Sequence, residues 1–480
     1  MSEFFLELFS EEIPSNLQKN LRENLLKSFN EFFLEKSIKF KKSSSYSTPN
    51  RLLILFEGVE KKIVLKSEEI KGPNTKSPDA ALEGFARSNG VSKKELFIKK
   101  TDKGEFYFYK TRSKKLDTHT LLEGAIPQIL NKIQWKKSMK WSNYELLWGR
   151  PLKSILSIFD KKKLNFKFHH FISSNSTFID KEFEEKKKLF SDFKTYKNFF
   201  KKMDILIDHA ERKDLIEKKF DIILKKRNIN IDSNPKLLQE VVDLTDQPNV
   251  IVCEFDKKFL NIPKEILILT MQHHQKYFPT FDKKGNITNQ FLVVANNKDK
   301  KGLIKLGNER VVEARLSDAE FFWQKDKAQN MVKKISDLKL MNYFKGLGNY
   351  FDKAQRMRKL GAIISDELLI SKEKVELSAS ISKVDLLSEL VGEFPELQGI
   401  MGGYFANVQG FDKEISLAVS EQYLPVGSGT KIPKKPYSIA LSLADKIDTL
   451  VGFFGVNQKP TSSKDPFALR RLALGIVRIM

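Results

Sequence analysis

A chain of 480 residues, 41% hydrophobic and 30% charged, has material for about three globular domains and needs no disulfide or metal to close a core. Its single cysteine, Cys253, excludes an internal disulfide and a multi-cysteine zinc site. Lysine and arginine number 84 against 61 for aspartate and glutamate, a formal charge of +23 that favours polyanionic partners such as nucleic acid. A/T-rich codons would also enrich Lys, Asn, Ile and Phe, so part of this charge has a bland origin. The opening Met1-Ser2-Glu3-Phe4, soon followed by Glu11 and Glu12, lacks the basic and apolar regions of a secretory signal. No window reaches the ~18 apolar residues of a membrane span, so a cytoplasmic protein without membrane contact is expected.

In chain order, Phe4–Phe9 predicts a short apolar strand. Leu17, Leu21, Leu25, Phe29 and Phe32 then recur at helical spacing, with Ser15 and Gln18 as a capping box. Further strands are expected at Arg51–Phe56, Glu105–Lys110 and Leu152–Phe159. Between Lys181 and Arg227 lie lysine clusters with Phe190, Phe193, Phe199 and Phe200 among them, a pattern for long helices with solvated faces or a projecting arm. Val250–Phe255 and Phe291–Asn296 read as strands and Asp282–Asn286 as a turn around Gly285. A helix is expected from about Asn308 to Trp323, and beyond Lys333 the pattern is helical apart from breaks at Gly399–Gly403 and Pro425–Pro436.

Little in the sequence offers catalysis. The histidine pairs His169-His170 and His273-His274 are adjacent, a poor chelate, because neighbours on a strand point to opposite faces. Phosphate-cradling and dinucleotide motifs are missing, and Gly346-Leu347-Gly348 reads as a turn. Asp385 and Asp445 lie in acidic-polar blocks that suit either helix packing or a histidine–aspartate-type metal-dependent phosphohydrolase. That site requires a His-Asp dipeptide, which the chain lacks. No catalytic and no metal-binding residue is assigned.

Two stretches suit RNA. From Lys132 to Arg150, Trp135, Trp141 and Trp148 alternate with Lys136, Lys137, Lys140 and Arg150; the indoles either stack on bases or face the core. In Lys464-Asp465-Pro466-Phe467-Ala468-Leu469-Arg470-Arg471, Asp465 is positioned to cap a helix starting at Pro466, which places both arginines in its second turn. Their forks suit phosphate. Lys140, Arg150, Lys464, Arg470 and Arg471 are the candidate RNA-binding residues.

These blocks fall in an ordered series that resembles the β subunit of the two-subunit bacterial glycyl-tRNA synthetase. The series runs from Ser10-Glu11-Glu12-Ile13-Pro14 and Thr48-Pro49-Asn50-Arg51-Leu52 through Thr101-Asp102-Lys103-Gly104-Glu105 and Met139-Lys140-Trp141. It continues through Gln275-Lys276-Tyr277-Phe278-Pro279, Arg315–Phe322, Leu397–Gly402 and Ala444-Asp445-Lys446 to Lys464–Arg471. Where the family tends to carry Gly-His-Arg-Phe, this chain has Phe168-His169-His170-Phe171. The resemblance implies a tRNA-binding subunit of a glycine–tRNA ligase, paired with an α subunit in an α2β2 assembly and acting on tRNA(Gly). The α subunit would carry the chemistry and use ATP and Mg, this chain binding no cofactor itself. It also implies a helical anticodon-binding region beyond Met480, outside this sequence.

The expected fold class is α+β: a mixed α/β N-terminal portion, then an all-α histidine–aspartate-type helical domain without a metal site. The expected regions are 1–170 (α/β), 171–235 (charged helical arm or insertion), 236–330 (α/β) and 331–480 (helical). Besides the phosphohydrolase, the competing reading is a generic basic RNA-binding scaffold.

Overall fold

The run Ser2–Ser10 places apolar residues on both sides of its backbone, so it is stable only where both faces are covered. In the computed structural model it is the centre of a five-stranded antiparallel sheet. The strand order is Lys162–Lys163, Leu152–Phe159, Ser2–Ser10, Arg51–Val59, Lys42–Thr48. The structure describes residues 2–65, 69–102, 104–111, 114–179 and 186–480. Lys103 of the quoted motifs and Lys181, where the charged stretch opens, lie outside them.

On one face of this sheet Phe4, Leu6, Leu8, Ile54 and Phe56 meet Leu25, Phe29 and Phe33 of the helix Ser15–Glu35, and Leu122 and Ile126 of the helix Thr118–Asn131. On the other, Phe5, Leu53, Leu55, Leu156 and Ile158 are covered by Phe190, Phe193, Tyr196 and Phe200. The phenylalanines of the charged stretch therefore face inward, and only its lysines carry the solvated face.

Glu7 occupies an inward position on the central strand with no exposure. Register makes Arg51 its diagonal neighbour: Glu7 lies opposite Leu53, and Arg51 opposite Phe9. Arg51 Nε stands 2.7 Å from Glu7 Oε1, its terminal nitrogen donates to Phe178 O at 2.6 Å, and Tyr196 Oη donates to the same carboxylate at 2.9 Å. The guanidinium lies between the rings of Phe9 and Phe200, 4.5 and 4.7 Å from their centroids.

The strand expectations hold with small shifts of boundary. The capping box does not. Pro14 stands at the start of the Ser15–Glu35 helix without a side-chain cap. Gln18 is instead buried, its Nε2 donating to Ile13 O and Asp243 O at 3.0 and 2.7 Å. Burial of a side chain with carbonyl partners at hand outweighs a cap at the surface.

Contacts divide the chain into two compact units. The first comprises Met1–Lys226, Ser233–Val250 and Val294–Asp299; the second comprises Arg227–Asp232, Ile251–Val293 and Lys300–Met480. The second holds a sheet ordered Asn230–Ile231, Phe278–Phe281, Ile287–Ala295, Asn249–Glu254. A predominantly helical assembly follows, from Leu303–Lys327 to Leu469–Ile479. One apolar core runs from Cys253 and Phe291 through Leu316 and Trp323 to Met401 and Leu441. The fold class is α+β. The Gly346-Leu347-Gly348 run is the turn of a small hairpin, both glycines having positive φ. The break expected at Gly399–Gly403 falls only at Gly399, because Gly402 and Gly403 lie within the helix Ile400–Val408. They allow it to approach Lys413–Glu421: a Cβ at Gly403 would stand 2.7 Å from Ser416 O and 2.6 Å from Ser420 Cβ.

Gly403→Ala should therefore lower stability by about 1–3 kcal/mol, seen as an earlier midpoint in chemical denaturation. Gly392→Ala, where a Cβ meets open space, should be neutral or slightly stabilising in the same measurement.

Candidate nucleic-acid interface

The Lys132–Arg150 stretch doubles back on itself. Met139 N donates to Trp148 O at 2.8 Å and Trp148 N to Met139 O at 3.1 Å. Trp148 is 2% exposed and packs against Phe168. Trp135 tilts onto Trp148 at 4.9 Å and lies so close over Gly149 that a Cβ there would meet the indole at 2.0 Å. Trp141 is half-buried beside Tyr144 and His170, whose rings stack at 3.4 Å. The indoles thus serve packing, and base stacking falls away for Trp135 and Trp148.

The outward side carries Lys136, Lys137 and Lys140. Lys140 Nζ is 2.6 Å from Glu145. Arg150 Nε donates to Glu12 O at 3.1 Å and shares a cleft with Glu11, Glu12 and Glu240. Both candidates in this unit therefore have partners or acidic neighbours. Alternation in sequence could not separate inward indoles from outward lysines, because the segment is irregular and has no fixed period.

In the second unit, Phe467 is tucked against Phe453 at 4.3 Å and Phe344 at 5.3 Å, and Ala468 takes positive φ. The helix consequently begins at Leu469, three residues later than expected. Asp465 still caps it, Oδ1 accepting from Leu469 N at 2.8 Å and Oδ2 from Arg470 N at 3.0 Å. Arg470 and Arg471 thus occupy the first turn rather than the second. Cations at the positive end of a helix dipole are unfavourable, and an approaching phosphate relieves that. Arg470 donates to Thr461 O at 2.5 Å, tying the preceding loop to the helix. Lys464 and Arg471 are exposed. Arg470, Arg471 and Lys464 belong to one short segment; Lys140 and Arg150 belong to the other unit.

Asp385 and Asp445 are both buried but bound to different partners. Asp445 Oδ1 stands 2.8 Å from Lys383 Nζ and 3.3 Å from Lys353 Nζ. Lys353 also reaches Asp448 at 3.2 Å, and Arg356 closes on Asp448 at 2.5 Å. Burial would raise the Asp445 carboxyl, yet the two ammonium groups hold it well below the carboxylate range. Asp385 Oδ2 instead accepts backbone N–H groups of Gly399 at 2.5 Å and Gly402 at 3.2 Å. Burial pushes its pKa up to about 6, with Gly399 N–H and Lys383 opposing only in part. Both carboxylates hold helices together. Among the described residues no group of three His, Cys, Asp or Glu is placed to hold a metal ion.

The sequence model of the family described as "Glycyl-tRNA synthetase beta subunit" matches residues 4–480. The glycine–tRNA ligase β subunits of Rickettsia akari and Rickettsia felis are each 38% identical to this chain, over 481 and 483 residues. That of Rickettsia bellii is 37% identical over 481 residues. Each alignment covers 100% of this chain and 72% of the relative. The protein is therefore a subunit of an aminoacyl-tRNA synthetase. More narrowly, the chain belongs to the glycyl-tRNA synthetase β-subunit family, whose name makes it one part of a hetero-oligomeric ligase. Among the described residues, no helix is long and apolar enough to cross a membrane.

One consequence concerns pH. In the unfolded chain Asp385 loses its proton near the ordinary 3.8, whereas the folded protein keeps it to about 6. The folded state binds the extra proton across that window, so this residue's contribution to stability falls as pH rises from about 4 to 6. Asp445, held low, acts oppositely and only as pH falls below the ordinary carboxylate value. Chemical denaturation at pH 4.5 and 7 should show that Asp385→Asn abolishes this part of the decline. An unchanged difference between the two pH values would contradict it.

Proposed function

We propose that this chain is the tRNA-binding β subunit of a glycine–tRNA ligase and acts in the cytoplasm. Glycine activation with ATP and Mg takes place on a separate α subunit in an α2β2 assembly. This chain holds tRNA(Gly) and binds no cofactor of its own. Its helical unit is of the histidine–aspartate type, with lysines neutralising the carboxylates. Membership of the β-subunit family carries this reading. The formal charge of +23 and the uncompensated arginine pair at a helix N-terminus support it.

Within that reading, Lys464 and Arg471 are the leading phosphate contacts, exposed beside a capped helix end. Arg470 divides its fork between Thr461 O and the ligand. Lys140 and Arg150 contribute once RNA displaces Glu145 from the one and competes with Glu12 O for the other. The generic RNA scaffold is separated by reconstitution: with cognate α subunit, glycine, ATP and tRNA, this reading requires glycylation. Tight tRNA binding without charging would favour the scaffold.

Arg470→Ala combined with Arg471→Ala should weaken tRNA binding about tenfold and lower the slope of log affinity against log salt by about 2. A gel-shift series at several salt concentrations measures both. Unchanged affinity and slope would remove the pair from the interface.

A further inference from the structure

A recess of about 270 Å³ in the second unit involves none of the arginine-pair residues. It lies where two of the recurrent sequence blocks meet. The helix Lys264–Leu269 runs into a π-helical turn, Thr270–His274, a widened geometry often found at functional sites. Thr270 is 1% exposed and lines the recess, and its Oγ1 has no hydrogen-bond partner. A buried hydroxyl without a partner costs about 1–3 kcal/mol and calls for an occupant that satisfies it.

The long helix Leu303–Lys327 supplies the facing wall. Arg315, Asp318 and Phe322 are three and four residues apart, so they share one side of the helix. Phe394 closes the third side, with the His274 ring edge-on to it at 5.6 Å. Glu393 stands at the rim, and its carboxylate is 3.9 Å from Arg315, too far to occupy the guanidinium fork. The lining therefore combines flat aromatic walls, one available guanidinium, two exposed carboxylates and an unsatisfied hydroxyl.

The volume is below that of a pocket for a drug-sized ligand. It suits one flat heterocycle. Aromatic and guanidinium planes are the surfaces on which unstacked RNA bases lie. Carboxylates accept from exocyclic amino groups, as in pairing with cytosine N4, and reject a keto oxygen at the same place.

We propose that this recess receives a single unstacked, amino-bearing nucleobase of the bound RNA. The base lies against Phe322 and Phe394, its amino group donates to Asp318 or Glu393, and Arg315 reaches the adjoining phosphate. The proposal rests on the tRNA-binding reading and adds base selection to a surface that otherwise recognises phosphate.

Cytosine and uracil make the cleanest probe, because they share a ring size and differ in whether position 4 carries an amino or a keto group. Fluorescence anisotropy of the full chain with labelled r(CCCC) and r(UUUU) should show about tenfold tighter binding of the cytosine oligomer. Asp318→Asn with Glu393→Gln should erase that preference without moving the thermal midpoint, both side chains being exposed. Arg315→Gln should weaken both oligomers equally. Equal affinities in the wild type, or a preference surviving the double substitution, would overturn the proposal. A parallel gel shift with intact tRNA separates the two readings. tRNA bound without base preference removes only the recess, and a preference removed by the double substitution without tRNA binding removes only the tRNA reading.

Discussion

Two ammonium groups closing on one buried carboxylate set the geometry of the helical unit. Lys353 enters from the helix Tyr350–Glu367, Lys383 from the turn after Lys372–Ile381, and Asp445 from the middle of Pro436–Gly455. None is more than 5% exposed. Burial alone would lower the Lys353 pKa, but Asp445 outweighs it and holds that lysine above its ordinary value. Removing one partner from such a cluster costs about 3–5 kcal/mol, since the others stay buried with unbalanced charge. Neighbouring polar groups are oriented by the same requirement: Lys383 Nζ donates to Gln422 and to Tyr423, and Gln422 turns its amide onto Ser382 O and Val419 O. Lys446, one position along, is drawn down to about 8 by burial.

The first unit obeys the same rule with arginine. Arg212 is wholly buried and donates to the carbonyls of Val242, Leu206, Ile207 and Ser47. Burial pulls it down to about 10, and it remains charged at neutral pH. His209 nearby is driven to about 4 by burial, with Arg22 and Arg212 adding to the effect, and is neutral at pH 7. Several cations of a chain with an excess of +23 are thus internal fasteners. Net charge overstates what the surface offers to a polyanion, and the exposed lysines and arginines are the ones that count.

The regular elements were legible because their periods are local. Phe4, Leu6 and Leu8 alternate with Phe5, Glu7 and Phe9, and a strand apolar on both faces announces a central position. Cap and site geometry were less so. The first helix lost its expected cap because Gln18 had carbonyl partners at Ile13 and, far along the chain, at Asp243. The last helix starts late because Phe467 has an aromatic slot between Phe344 and Phe453, which no neighbour in sequence reveals. The Asp465 cap was foreseen correctly, since it needs only the next few residues. Carboxylate blocks at Asp385 and Asp445 were visible, but their function in packing depends on lysines 60 to 90 positions away or on backbone amides of another helix.

The π-helical turn at Thr270–His274 has a bearing on how this region tolerates length change. Such a turn holds one residue more than an α-helical turn in the same span. Deleting a single residue there would restore ordinary winding and swing everything after it by about 100° around the helix axis. His274 would leave Phe394, and Tyr277, whose hydroxyl reaches Asn308, would lose its place in the core. The segment is therefore open to substitution at its exposed positions but closed to insertion and deletion.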